Sequence, residues 1–427
     1  MLFRDITLLD CNYEARSHQN VLVRGEKIVY AGPEMPSAEG ELIYDGRGRL
    51  LVPGFFNMHC HVPMTLLRGY GEGLPLRRWL TEKMFPFEAT LTPEEIYWGA
   101  LLGIAEMVAG GTVSFTDMYL DTDRIFDAVE ESGIKANLSS SAMDPARSKS
   151  HYRELPAFAH TKYLMDRVRA AAHDRIHAEV AIHAEYTTTE RIVSEAAAFA
   201  AENKMSVHLH LSETEAEHAE CRKRHGLTPA AWFDQMGAFE VPVTAAHCVW
   251  LEEADMALLA ERGVTAVNCP SSNLKLGSGI AEVERMRRLG IRVAVGTDGA
   301  ASNNNLDMLE EINLASLLQK GYYRDPVAAD GRAMLQIACA NGAAAQRRPD
   351  CGSIRAGNRA DLTVVDLWRP HLQPVHDPTA NLLYSARSSD IVMTMVDGRI
   401  LYKDGDFLTI DVEKVMAKVK EIVEKRR

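Results

Sequence analysis

His59 and His61 stand two residues apart in Phe56-Asn57-Met58-His59-Cys60-His61. On a strand such residues share a face, so both imidazoles can approach one ion while Cys60 points the other way and packs. A second pair, His208 and His210, is followed three residues after His210 by Glu213. The combination offers a nitrogen ligand, His210, and a carboxylate able to shuttle a proton above a metal. His208, one layer deeper, is expected to pack or to support. His247, after Ala245-Ala246, and Asp298, in Gly296-Thr297-Asp298-Gly299, complete the set. Each also has an ordinary alternative. A His-x-His pair can be two half-buried, hydrogen-bonded histidines. A lone histidine after alanines is commonly a core residue, Glu213 by itself is a loop carboxylate, and Asp-Gly is a common turn. Their placement joins them into one mononuclear site, because they fall in barrel order at the ends of strand-like runs.

Those runs are Ala178–His183, Ser206–His210, Val243–His247, Val264–Asn268 and Ile291–Asp298, with Thr112–Phe115 earlier in the chain. Amphipathic helical stretches separate them. One begins at Thr92-Pro93-Glu94-Glu95, where Thr92 serves as N-cap, Pro93 takes the first helical position and Glu95 completes a capping box; Gly110-Gly111 ends it. Continuous apolar strands alternating with helices indicate a parallel sheet covered on both faces, hence an α/β fold. In an α/β barrel the carboxyl ends of the strands form the functional rim, where these residues fall. Both chain ends read differently. Val21–Tyr30 is a hairpin pattern turning at Arg24-Gly25-Glu26, and Met395–Tyr402 repeats the arrangement, with Asp361–Val365 as a further strand. The two ends are expected to build one small β domain, giving divisions at 1–52, 53–353 and 354–427. Glu421–Arg427 reads as a solvated helix end.

The bulk properties narrow the class. The chain has 427 residues, 46% hydrophobic and 25% charged, ample material for a large core. Its net charge of -12 repels phosphate backbones, so no nucleic-acid partner is expected. The seven cysteines include no Cys-x-x-Cys pair, which argues against a disulfide framework and for a reducing compartment. A charged amino terminus and the lack of a spanning apolar run make a cytoplasmic protein, with no membrane association, the expectation. No Walker-type loop is present, and Leu276-Gly277-Ser278-Gly279 lacks the lysine-serine ending of one.

Pro53–His61, His210–Glu213, Ala246-His247-Cys248, Ser272–Ile280 and Gly296–Asn304 together resemble the amidohydrolase superfamily. Within it they are similar to the 5-methylthioadenosine/S-adenosylhomocysteine deaminases, over nearly the whole chain. The resemblance implies a (β/α)8 TIM barrel with a composite β-sandwich from both termini. It implies a metal-dependent hydrolytic deaminase of adenosine-like purine nucleosides. One divalent ion, zinc by preference with Fe, Mn or Ni as substitutes, would be held by His59, His61, His210 and Asp298. Glu213 would be the proton shuttle, His247 would orient the attacking hydroxide, and Asp298 would double as base. Glu88 and His183 match positions that contact substrate, with a surface glutamate and a strand-end core histidine as their plain alternatives. Binuclear members carry a lysine at the end of the fourth strand; Val180–His183 has none, so one metal is expected. The family's carboxylate-binding arginine should fall near Asn137–Ser141, which has no arginine; Arg147 and Arg153 are the nearest substitutes. A guanidinium fork is not replaced by serine hydroxyls, so 5-methylthioadenosine, 5'-deoxyadenosine and adenosine rank above S-adenosylhomocysteine. Deamination of guanine, cytosine or a pterin, or dechlorination of a triazine, would use the same centre. A non-catalytic metal-binding scaffold would be expected only had a ligand or Glu213 been missing. The resemblance is compatible with a homo-oligomer.

Overall fold

Eight parallel strands lie side by side in chain order in the computed structural model, which describes residues 1–426. They are Phe55–Cys60, Thr112–Tyr119, Lys135–Ala142, Val180–Ile182, Val207–Leu211, Val243–His247, Thr265–Asn268 and Arg292–Val295. A short strand, Ile176–Ala178, pairs with the third before the fourth begins. The first and last are stitched at their carboxyl ends. The Asp298 amide donates to the His59 carbonyl at 2.9 Å, and the Asn57 side chain exchanges two hydrogen bonds with Thr297, at 2.7 and 3.0 Å. Gly296 permits that closure, since a Cβ there would lie 2.6 Å from the His59 nitrogen. Every residue of the first, second, third, fifth and sixth strands is buried, as a sheet covered on both faces requires.

The helices occupy the outside. Pro93–Ala109 starts as its sequence dictates: Thr92 Oγ1 accepts from the Glu95 amide at 3.3 Å, and Glu95 Oε2 accepts from the Thr92 amide at 2.8 Å. The third strand is the one that hydrophobic pattern does not announce. Ser139, Ser140 and Ser141 are buried in it, and the first two hydroxyls donate to the carbonyls of Asp117 and Leu120 at 2.8 and 2.7 Å. Satisfied hydroxyls can be buried without the apolar signature.

The chain ends share a second, nine-stranded mixed sheet, in which Arg49–Pro53 runs antiparallel to Leu362–Asp366. Its hairpins turn at Gly25-Glu26 and at Asp397-Gly398. Gly54 alone separates Arg49–Pro53 of this sheet from Phe55–Cys60 of the barrel, so the His-x-His segment follows directly from the junction. The last helix spans Val412–Glu424; Arg427, the end of the expected helical tail, lies outside the described residues. Among the described residues no helix is long and apolar enough to cross a membrane.

Candidate active site

The residues singled out by type and spacing converge at the carboxyl end of the barrel. His59 and His61 end the first strand and begin the following turn; His210 lies on the fifth strand, His247 ends the sixth, and Asp298 follows the eighth. Donor atoms of His59, His61 and Asp298 lie within 4.8 Å of one another, as do those of His59, His210 and His247. His247 thus shares one group of donor atoms with His59 and His210. Asp298 Oδ1 is 3.2 Å from His61 Nε2 and 3.5 Å from His59 Nε2.

What surrounds these side chains decides which atoms face inward. His61 Nδ1 is bonded to the Met118 carbonyl, His210 Nδ1 to the His183 carbonyl at 2.6 Å, and His247 Nδ1 to Asn273 Oδ1 at 2.9 Å. Each acceptor requires the proton on Nδ1 and leaves the Nε2 lone pair free, the arrangement found around metal-ligating histidines. His59 Nδ1 is bonded to His208 Nε2 at 2.9 Å, so His208 is the buttress of the first ligand candidate. Asp298 is gripped on its other oxygen, which accepts from Ser272 and Ser302 hydroxyls at 2.5 and 2.8 Å. Cys60 turns away, its sulfur 3.5 Å from Asp117.

The donor set fits a divalent cation. His59 Nε2 is fully buried and has no hydrogen-bond partner, and His61 and His210 present their Nε2 atoms to each other at 3.4 Å. An orphaned buried nitrogen is costly unless something fills the gap. Burial holds His59 down to about 4 and His183 to about 3, and takes His210 well below the ordinary imidazole range, so they are neutral at pH 7. Burial would raise Asp298, but its contacts with His59 and His61 hold it well below the usual carboxylate range. Conversely burial lowers His61, and the Asp298 carboxylate outweighs it to lift that imidazole to about 9. A buried carboxylate calls for a positive charge here, and a cation among the Nε2 atoms supplies it. Nitrogen and carboxylate ligands of this number suit zinc.

Glu213 overhangs the centre. Its Oε2 is 3.7 Å from His247 Nε2 and its Oε1 accepts from Ser278 at 3.2 Å; burial raises its pKa. Backbone strain gathers at the same rim. Ser212, His247 and Asp298 adopt positive φ values of 47°, 72° and 58°, which non-glycine residues hold only where surrounding structure enforces them.

Above the polar centre opens a cleft. Glu88 and His183 both line it, as expected of substrate contacts, and burial lifts Glu88 to about 7. Most of its remaining wall is apolar: Leu76, Trp79, Leu80, Phe85, Met118 and Leu276 among others. Among the described residues no arginine or lysine lines it. Arg147 lies 3.6 Å from buried Glu185, and Arg153 lines a separate groove with Glu195 and Phe199. Neither substitutes for the missing carboxylate clamp. The type-and-spacing argument did not single out Asn273, Ser272, Ser302 or Ser278; only their positions on and just after the helix Pro270–Lys275, which follows the seventh strand, and past Asp298 bring them to the site.

A barrel whose strand ends bring imidazoles and a carboxylate to a point, with a second acid overhead, is built for cation-assisted hydrolysis. Residues 50–401 match the family model described as the Amidohydrolase family. The chain belongs to that family, as an enzyme of its hydrolytic deaminase type. It is 42% identical over 377 residues to a 5-methylthioadenosine/S-adenosylhomocysteine deaminase of Dictyoglomus thermophilum, covering 88% of this chain and 87% of the relative. It is 40% identical over 397 residues to a 5'-deoxyadenosine deaminase of Methanothermobacter thermautotrophicus, covering 93% and 92%. The fold matches that of a zinc-bound adenosine deaminase from Xanthomonas campestris with a TM-score of 0.93 at 31% identity, over 100% and 98% of the two chains.

Proposed function

We propose that this enzyme removes the exocyclic amino group of an adenine nucleoside with a small, uncharged 5' substituent, releasing ammonia and the inosine analogue. The observation that carries the reading is the convergence of the His59, His61 and His210 Nε2 atoms with Asp298 Oδ1 beneath Glu213, in a cleft lined, among the described residues, by no arginine or lysine. The relatives that act on adenine nucleosides support the heterocycle. The wall of leucine, methionine and aromatic side chains supports 5-methylthioadenosine, 5'-deoxyadenosine and adenosine over S-adenosylhomocysteine, whose amino-acid carboxylate would meet no arginine.

His59, His61, His210 and Asp298 would hold one divalent cation, zinc by preference, which when bound lowers the pKa of the hydrolytic water toward neutrality. His247, its Nδ1 tied to Asn273, turns the Nε2 lone pair toward the centre and orients that water by accepting its hydrogen bond. Asp298 accepts the proton the water loses; Ser272 and Ser302, bonded to Oδ2, leave Oδ1 to do so. Glu213, its pKa raised by burial, donates a proton to the ring nitrogen beside the amine-bearing carbon and makes that carbon electrophilic. The water oxygen bonds to that carbon, Asp298 passes the proton it took to the exocyclic nitrogen, and the carbon–nitrogen bond breaks to release ammonia. Glu88 accepts hydrogen bonds from the sugar hydroxyls, and His183 lines the wall beside the purine.

The test is ammonia release by zinc-loaded protein from a panel of adenosine analogues, followed by loss of the adenine absorbance. S-adenosylhomocysteine is expected to be turned over less well by about tenfold or more, the cost of leaving one charged group without its hydrogen bond. Turnover of guanine, cytosine, a pterin or a chlorotriazine with none of the adenine nucleosides would replace the heterocycle in this reading. Turnover of nothing on the panel would overturn it.

A further inference from the structure

Glu217 is a fully buried acid that the reaction does not use, standing directly behind Glu213. Helix Glu215–His225 begins on Thr214, whose hydroxyl accepts from the Glu217 amide at 3.1 Å. A glutamate at this third helical position ordinarily reaches back to the N-cap amide as half of a capping box. Here the carboxylate extends beyond it: Oε2 accepts from the Glu213 amide at 2.7 Å and Oε1 from the Ser212 amide at 3.2 Å. Ser212 is the residue in the left-handed region, and its carbonyl in turn accepts from the Val249 and Trp250 amides at 3.1 and 2.9 Å. The strained link between His210 and Glu213 is thus clamped on its amide side by one carboxylate and on its carbonyl side by the loop that follows His247. A conformation of this kind persists only when it is over-determined.

We propose that Glu217 is a positioning residue: by catching two successive backbone amides with one carboxylate, it aims the Glu213 side chain at the reacting ring. The inference rests on the proton-shuttle role proposed above for Glu213. It assigns no contact between Glu217 and substrate or cation; its effect passes entirely through the backbone of residues 212 and 213. Glutamine cannot reproduce it, because one of its two terminal atoms is a donor that would face an N–H.

A double-substitution cycle on the full-length, zinc-loaded enzyme tests this, with 5'-deoxyadenosine or whichever panel substrate the unaltered enzyme hydrolyses. Glu217→Gln should lower kcat by about 10–100-fold, the scale of a misplaced catalytic group, with KM changed by less than about threefold. Zinc should remain at one per chain. In a Glu213→Gln background the same substitution should change the residual kcat by less than about threefold, since there is no shuttle left to aim. Equal fractional losses in both backgrounds, loss of zinc, or an unaltered kcat in Glu217→Gln would each overturn the proposal. Should Glu217→Gln fail to fold, Glu217→Asp, which keeps the charge but shortens the reach, goes through the same cycle with the same criteria. A flat cycle on an active enzyme sinks the Glu217 assignment alone; an enzyme inert on the whole panel sinks the proposed function with it.

Discussion

At the amino end of the barrel, Lys135 lies buried between Asp361 and Asp397, with the second carboxylate 2.7 Å away. Arg348 is spent on the carbonyls of Asp174 and Arg175 at 2.7 and 2.8 Å, and Glu179 accepts from Asn137 and Ser206, both at 2.7 Å. At the carboxyl end the buried groups are turned toward one another, His61 Nε2 and His210 Nε2 facing at 3.4 Å, while His59 Nε2 has no hydrogen-bond partner. Both ends bury charge and polarity in the same barrel. At one end most of these groups are met by partners of the chain itself, Glu179 Oε2 excepted, and they join the terminal sheet to the third strand. At the other, imidazole and carboxylate donor atoms converge on one point, and the backbone is held in unfavourable conformations at Ser212, His247 and Asp298. Ion pairs and hydrogen bonds closed within the chain mark a structural polar cluster; ligand-type donor atoms converging on one point mark a binding site.

The contrast can be broken by substitutions at each end. Asp298→Asn should have the largest effect, removing the anionic donor: zinc per chain falls well below one by elemental analysis, and turnover drops by more than the roughly 10–100-fold that loss of a supporting partner costs. Glu213→Gln should cut kcat by about 10²–10⁴-fold, the usual contribution of a general acid, with zinc content unchanged. Asn273→Ala and Ser302→Ala, which remove props of His247 and Asp298, should each cost about 10–100-fold in zinc affinity or activity, read by chelator competition beside kcat. Lys135→Met sharpens the other half. It leaves buried Asp361 without its cation, Asp397 keeping Arg359 at 3.3 Å, and should cost about 3–5 kcal/mol of stability by denaturant titration, while kcat per folded molecule is unaltered. A fall in kcat with stability unchanged would mean the two ends do not differ as described.

Much of the site was legible because its chemistry is local in the chain. The period of a strand places His59 and His61 on one face whatever the fold around them, and a run that ends in histidine or aspartate marks its own carboxyl end. The third strand was not legible, since its serines are satisfied by carbonyls of a neighbouring strand and leave no apolar pattern. Glu217 was hidden for a related reason. Thr214-x-x-Glu217 reads as a routine helix start, and only the folded turn shows the carboxylate reaching Ser212 and Glu213.

Residue type and spacing alone determined the parallel α/β plan, the β-rich ends, the acidic charge, and the identity of the histidines and acids at the strand ends. Tertiary structure alone decided which nitrogen of each imidazole faces the centre, that His247 joins His59 and His210 in one group of donor atoms, and that no arginine among the described residues lines the cleft. The physical reason is that strand periodicity and helix starts arise between residues a few positions apart. Tautomer, orphaned atoms and ion pairing depend on partners brought from distant segments, as Ser272 and Ser302 are brought to Asp298.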